Sequence, residues 1–374
     1  IQVMSLEQLA AIDSSDMSAI SADQITSFSA EKISNLSTAQ LAALLPSAIN
    51  AFNTTQAFAL TTEQVQALTQ TQVANINLDA LASMDITQIQ AFETRDIAAL
   101  TASQLSNLST TQVQAITTDQ ISAIEARDLV AMNEGQIASL LPDRIVQLTT
   151  TQFAALQTSQ LAALTPTQIG VIETVDLQVL SASQIKAFDV SQINALTTSQ
   201  GIALTATQIP ALTLTQVAGL STDLLSTFLT SQINSLTTEQ FVQLDTTQVS
   251  TLTTQQINKL SSTLLSNMLD DQLVALDTDR IQALTTAQIQ SLVTSQVAAL
   301  TETQIGALFT QQVSALETAD MAALRQVQLT TLDTTQFSTL STAQINALSA
   351  TQFAGITTEQ LQAIQTTKIT SLSV

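Results

Sequence analysis

Five short stretches of the sequence place two carboxylates three residues apart: Asp13 and Asp16, Glu93 and Asp96, Glu125 and Asp128, Glu173 and Asp176, and Glu317 and Asp320. Hard oxygen ligands at such a spacing could begin a Ca²⁺ site. That ion takes about six to eight oxygens, however, and each pair offers only two carboxylates. The same spacing also describes an acidic helix start, with an N-cap acid and a second carboxylate in the first turn, both near the positive end of the helix. This second reading is the expected one, and no metal ligand is assigned. Ser and Thr are abundant potential nucleophiles, but the chain contains neither His to serve as their base nor Cys to supply a thiol. No glycine loop for phosphate is visible. No catalytic residue, cofactor site or enzymatic activity is expected.

Charge narrows the partners. The chain carries 30 acidic and 9 basic residues, a formal charge of −21, while only 10% of its residues are charged. Nucleic acid needs clustered Lys and Arg for its phosphates, so it is not an expected partner. No apolar run approaches the roughly 20 residues of a membrane helix, and membrane insertion is not expected either.

The elements that carry the acids are announced by a repeat. From Ser5 the chain reads as consecutive blocks of eight, SLEQLAAI, DSSDMSAI, SADQITSF and onward to QTTKITSL, giving 46 octads without insertion or deletion. Position 8 is Ile, Leu, Phe or Met in all 46, and position 5 is large and apolar in 44. In the two exceptions, NTTQAFAL and TTSQGIAL, the bulky residue (Phe58, Ile202) moves to position 6. Position 4 is Gln in 33 octads, and position 1 is Ser, Thr, Asp or Asn in 33.

A continuous α-helix advances about 100° per residue, so an eight-residue apolar pattern would spiral round it and could form no seam. Strands would require alternation at period two. One very short helix per octad fits instead. Ser or Thr at position 1 with Gln at position 4 is the capping box, and the apolar residues at the previous position 8 and at position 5 form the hydrophobic staple. Independent residues agree with this frame. Pro46, Pro142 and Pro166 fall at the first helical position, where a missing N–H does no harm, and all 30 acids fall at positions 1 to 4. Pro210, at position 6, is a local irregularity. No glycine occupies position 8 or 1, so the helices should close through extended residues rather than a left-handed glycine.

So short a helix is unstable alone. The expected fold is therefore all-α, a solenoid with positions 5 and 8 inside and Thr, Ser, Gln and Asp outside. It is expected to run as a single continuous array over 1–374. The chain begins in mid-octad at Ile1 and stops at Val374, which suggests a section of a longer chain or ends that stack on other copies. Octads that start with an apolar residue, LPSAINAF, LPDRIVQL, LTSQINSL, LDDQLVAL and FTQQVSAL, are expected to repack the core locally at the loss of a cap, the alternative being an apolar contact site on the outer surface. Asn35, Asn53 and Asn107 begin Asn-x-Ser/Thr triplets, relevant only in a glycosylating host.

Phrases such as TTTQFAAL, TTAQIQSL, STAQINAL and VTSQVAAL resemble large low-complexity octapeptide-repeat proteins of bacteria, secreted or on the cell surface, with repeats of the LTTxQ[IV]xAL type. That resemblance covers the whole chain and implies an extracellular or cell-surface location and a loose association with adhesion or haem use. Haem finds no His, Cys or Tyr to ligate its iron. The expected function is structural: a self-associating component of a filament, sheath, surface layer, biofilm matrix or adhesin stalk. The alternative is a binding solenoid whose Thr/Ser face recognises a repetitive surface such as polysaccharide or ice.

Overall fold

The computed structural model describes residues 3–370. Ile1 and Val374, on which the expectation about the chain ends rests, lie outside the described residues. The described chain divides into two compact units, Ile1–Ala195 and Leu196–Val374. In both, the octad is the unit of secondary structure. The described residues contain 44 α-helices of four to six residues and two 3₁₀ helices, Ser14–Ala19 and Ile209–Ala211, with no strand. The second 3₁₀ helix contains Pro210, whose missing N–H cannot complete an α-helical ladder.

Most helices start as the capping box requires. Thr61 Oγ1 accepts from the Gln64 N–H at 3.2 Å, and Gln64 Oε1 accepts from the Thr61 N–H at 2.9 Å. Helices end without left-handed residues: no described residue has a positive φ. Position 8 is extended instead (Leu44 at φ −62°, ψ 142°), and the next cap is extended as well (Leu45 at φ −64°, ψ 149°). Two extended residues thus redirect the chain at every joint.

Positions 5 and 8 form the core, as Val65 and Leu68 do in one unit and Phe241 and Leu244 in the other. Within each unit, helices pack against helices three octads away. Thr62–Gln66 lies against Ile86–Ala91 in the first unit, and Thr310–Ala315 against Thr334–Thr339 in the second. That later helix is what covers position 5. Phe353, Leu361 and Ile369, beyond which no such helix is described, are 36%, 46% and 45% exposed.

The bulky residues at position 6 of the irregular octads stay outside the core: Phe58 is 59% exposed and Ile202 42%. At Gly201 the gap is filled from three octads on, because a Cβ there would meet Leu224 Cδ1 at 2.8 Å and Thr227 Oγ1 at 3.0 Å. The apolar residues at position 1 do not repack the core either. Leu45, Leu141, Leu229, Leu269 and Phe309 have lost the side-chain cap, as expected, but lie 41–52% exposed. Position 1 is the extended residue outside the helix, so its side chain projects away from the space that positions 5 and 8 fill.

Candidate functional site

The chemistry of the repeat is concentrated at position 4. Gln was expected on the outside, apart from its bond back to the cap. Of the 33 glutamines at this position, 31 are buried, the exceptions being Gln8 and Gln24 near the start of the described chain. The amide oxygen takes the N–H of position 1, as the capping box demands. The amide nitrogen then crosses to the octad four places earlier and donates to two carbonyls there, at positions 5 and 8. Gln64 Nε2 reaches Ile33 O at 2.8 Å and Leu36 O at 2.7 Å. In the second unit Gln288 reaches Ile257 O and Leu260 O, both at 2.8 Å.

Those carbonyls belong to the last turn of a short helix, where no intrahelical donor remains for all of them. One side chain therefore closes the start of its own helix and satisfies the end of another. Helix packing at three octads and hydrogen bonding at four set one turn of the solenoid between three and four octads. The requirement at position 4 is a donor long enough to reach. Arg144 Nε donates to Ile116 O at 2.8 Å, Arg280 Nε to Leu252 O at 2.5 Å, and Lys368 Nζ to Leu340 O at 2.7 Å. Where position 4 is Ala80, Asn77 supplies the bond from position 1, with Nδ2 on Asn50 O and Phe52 O, both at 2.7 Å.

The five acid pairs occupy these same joints. Asp13 caps Ser15 at 2.8 Å and Asp16 is exposed. In the other four octads Glu stands at position 1 and makes no side-chain cap bond. The expected acidic helix start is thus only half realised: Asp at position 4 bonds back to the cap N–H, at 3.1 Å for Asp96 and 3.0 Å for Asp320. Two octads balance the charge with Arg at position 3. Arg95 lies 2.9 Å from Glu93 and 3.6 Å from Asp96, and Arg127 lies 2.7 Å from Glu125 and 3.5 Å from Asp128. Asp176 and Asp320 have no arginine at position 3, and the hydroxyls of Thr150 and Thr294 favour their charged forms instead.

Burial pushes the carboxyls of Asp96, Asp176 and Asp320 above the ordinary range, outweighing the hydrogen bonds that favour the charged form. Exposed Asp13 is shifted the other way by its bonds to Ser15, and Asp85 by its bonds to Thr87 and Gln88. Among the described residues no three acids converge as metal ligands would. The triplet asparagines also have local roles: Asn53 caps Gln56, and Asn35 and Asn107 donate to Glu31 O and Leu78 O.

Comparison with known proteins agrees with the octad frame. A model of the ALTTAQ repeat matches residues 33–70, 89–126, 169–206, 273–310 and 313–350, five stretches of 38 residues that together cover 190 of 374. All five begin at position 5 of an octad. The letters ALTTAQ, found intact at 283–288, spell positions 7, 8, 1, 2, 3 and 4, which is the joint from helix end through cap to bridging Gln. No curated protein matches the chain.

Proposed function

The chain belongs to the ALTTAQ repeat family, and from its architecture we propose that it is a structural repeat protein, an extracellular or cell-surface element that forms or decorates a filament, sheath, surface layer or adhesin stalk. The observation that carries this reading is the use of the polar side chain at position 4. Gln spends its amide oxygen on closing its own helix start and its amide nitrogen on holding that turn of chain to another, and does so octad after octad in each unit. A sequence that repeats a mechanical joint in this way is suited to spanning distance and resisting extension. The exposed surface left over is Thr, Ser and acid with scattered apolar side chains such as Leu45 and Phe309, and it would let copies associate with one another or with a cell-surface polysaccharide.

Electron microscopy of the native material, with averaging along any rods, tests the proposal. Filaments of constant width, longer than one chain could span, are the expected result. Isolated short particles that never associate would overturn the filament reading.

A further inference from the structure

In an ordinary octad the position 4 amide nitrogen reaches the position 8 carbonyl four octads earlier. Where position 4 is not Gln, the surface can open, and three grooves in the first unit lie at such joints. One of about 580 Å³ includes Phe52, Asn77 and Asp79, beside Ala80 at position 4. One of about 240 Å³ includes Leu68 and Arg95, and position 4 of the later octad is Asp96. The third, of about 470 Å³, includes both Leu100 and Asp128, the two sides of the joint itself. That volume is within the range of roughly 300–1,000 Å³ usual for small-molecule sites.

The third groove holds acceptors without matching donors. Leu100 O is the position 8 carbonyl that a bridging Gln would meet, and among the described residues no donor reaches it. A carboxylate, which only accepts, stands in place of that Gln: the Asp128 side chain is 14% exposed. Arg127 is paired with Glu125 at 2.7 Å and lies 3.5 Å from Asp128. In the octad whose Ala98, Ala99 and Leu100 line the groove, Asp96 is 0% exposed and its Oδ1 makes no hydrogen bond. These two octads carry four acids (Glu93, Asp96, Glu125, Asp128) and two arginines, a surplus of two negative charges on a chain of net −21. Such a place favours a cationic donor over an anion.

Another joint shows that an ammonium fits these carbonyls. Lys368, at position 4 of its own octad, donates from Nζ to Ser338 O at 2.8 Å and to Leu340 O at 2.7 Å. The walls of the groove add Gln70, Thr71 and Thr101, with alanines between them. That lining offers partners for hydroxyl groups, but no apolar slot for the long methylene stem of a lysine side chain.

We propose that this groove takes an amino sugar. Its ammonium donates to Leu100 O and to the Asp128 carboxylate, supplying from outside the donor that the joint lacks, while ring hydroxyls bond Gln70, Thr71 and Thr101. The choice of a sugar rests on the surface-polysaccharide reading above.

Calorimetry on the full chain, with a glucosamine tetramer as probe, tests the assignment. Wild type should bind it saturably, and the N-acetylated tetramer, which lacks the charge, at least about tenfold more weakly. D128Q restores the ordinary bridging residue, so it should keep the fold and lose binding by a similar factor. D223N, at an exposed position, should match wild type. Tetramethylammonium, which has the charge but no N–H, should not compete. In ¹⁵N NMR of wild type, the probe should shift the amides of Leu100, Thr101 and Asp128. Undiminished binding to D128Q, equal binding of the acetylated tetramer, competition by tetramethylammonium or shifts confined to other octads would each overturn the proposal. Tighter binding of tetralysine would overturn the sugar assignment. None of these readouts depends on filament formation, so this proposal and the filament reading fail separately.

Discussion

Octads 301–308 and 317–324 sit close together in the same unit and differ at the residue that matters most. In the first, Gln304 Nε2 donates to Leu273 O at 3.1 Å and Leu276 O at 2.8 Å, and Thr301 Oγ1 caps the helix. In the second, Asp320 returns only the bond to its own cap, and Glu317 makes no side-chain cap bond. Both helices form, and both bury positions 5 and 8. The apolar residues are thus sufficient to place a helix, while the polar residue at position 4 decides whether its turn is bonded to the one before. Packing sets the architecture, and Gln sets how firmly successive turns are joined.

Substitutions can separate these two contributions. The largest effect is expected at Leu244, 2% exposed at position 8: L244D buries an unpaired charge and should cost several kcal/mol, roughly 3–5. Chemical denaturation of the full chain would show it as a lost or early transition, and an unchanged curve would refute the core assignment. Next comes the bridge itself. Gln248 serves Val217 O and Leu220 O from a buried position, so Q248L should cost about 1–3 kcal/mol by leaving buried polar groups unsatisfied. Q248E should cost more, because it adds a carboxylate facing carbonyls. If Q248E and Q248L behave alike, the bridge contributes less than the geometry indicates.

Removing a cap is milder. Thr237 Oγ1 accepts from the Gln240 N–H at 3.1 Å, and T237A should lower stability by about 1 kcal/mol in the same denaturation experiment. The smallest change reverses the sign. Leu269 is 47% exposed at an uncapped position 1, so L269T should raise stability by a few tenths of a kcal/mol up to about 1. Destabilisation by L269T would show that Leu269 packs against something its exposure does not reveal.

Much of this was legible in the sequence. The frame, the one-helix-per-octad rule and the caps followed from Ser or Thr at position 1, Gln at position 4, and the placement of Pro46, Pro142 and Pro166. The burial of Gln was not legible, because the capping box accounts for the Oε1 atom and leaves Nε2 without an assignment. Its role depends on which octad lies beneath, and that is fixed by the three-to-four-octad turn, a tertiary quantity that no local pattern encodes. The frequency of Gln was the available signal: Glu satisfies a capping box equally well, yet it never appears at position 4. The same gap explains the apolar position 1 residues. Leu45 and Phe309 were read as core because they are apolar, whereas the extended backbone at the cap turns them outward.

The bridging glutamines are the central claim, and their side-chain amides can be observed directly. We would label the full chain selectively at glutamine with ¹⁵N and follow side-chain NH₂ exchange in D₂O. Position 4 residues such as Gln64, Gln248 and Gln288 should be strongly protected, while the exposed Gln66 and Gln114 at position 6 should exchange at once. Two populations separated in this way are the predicted result. Uniformly fast exchange of every glutamine amide would contradict the account, because the joints would then not be made.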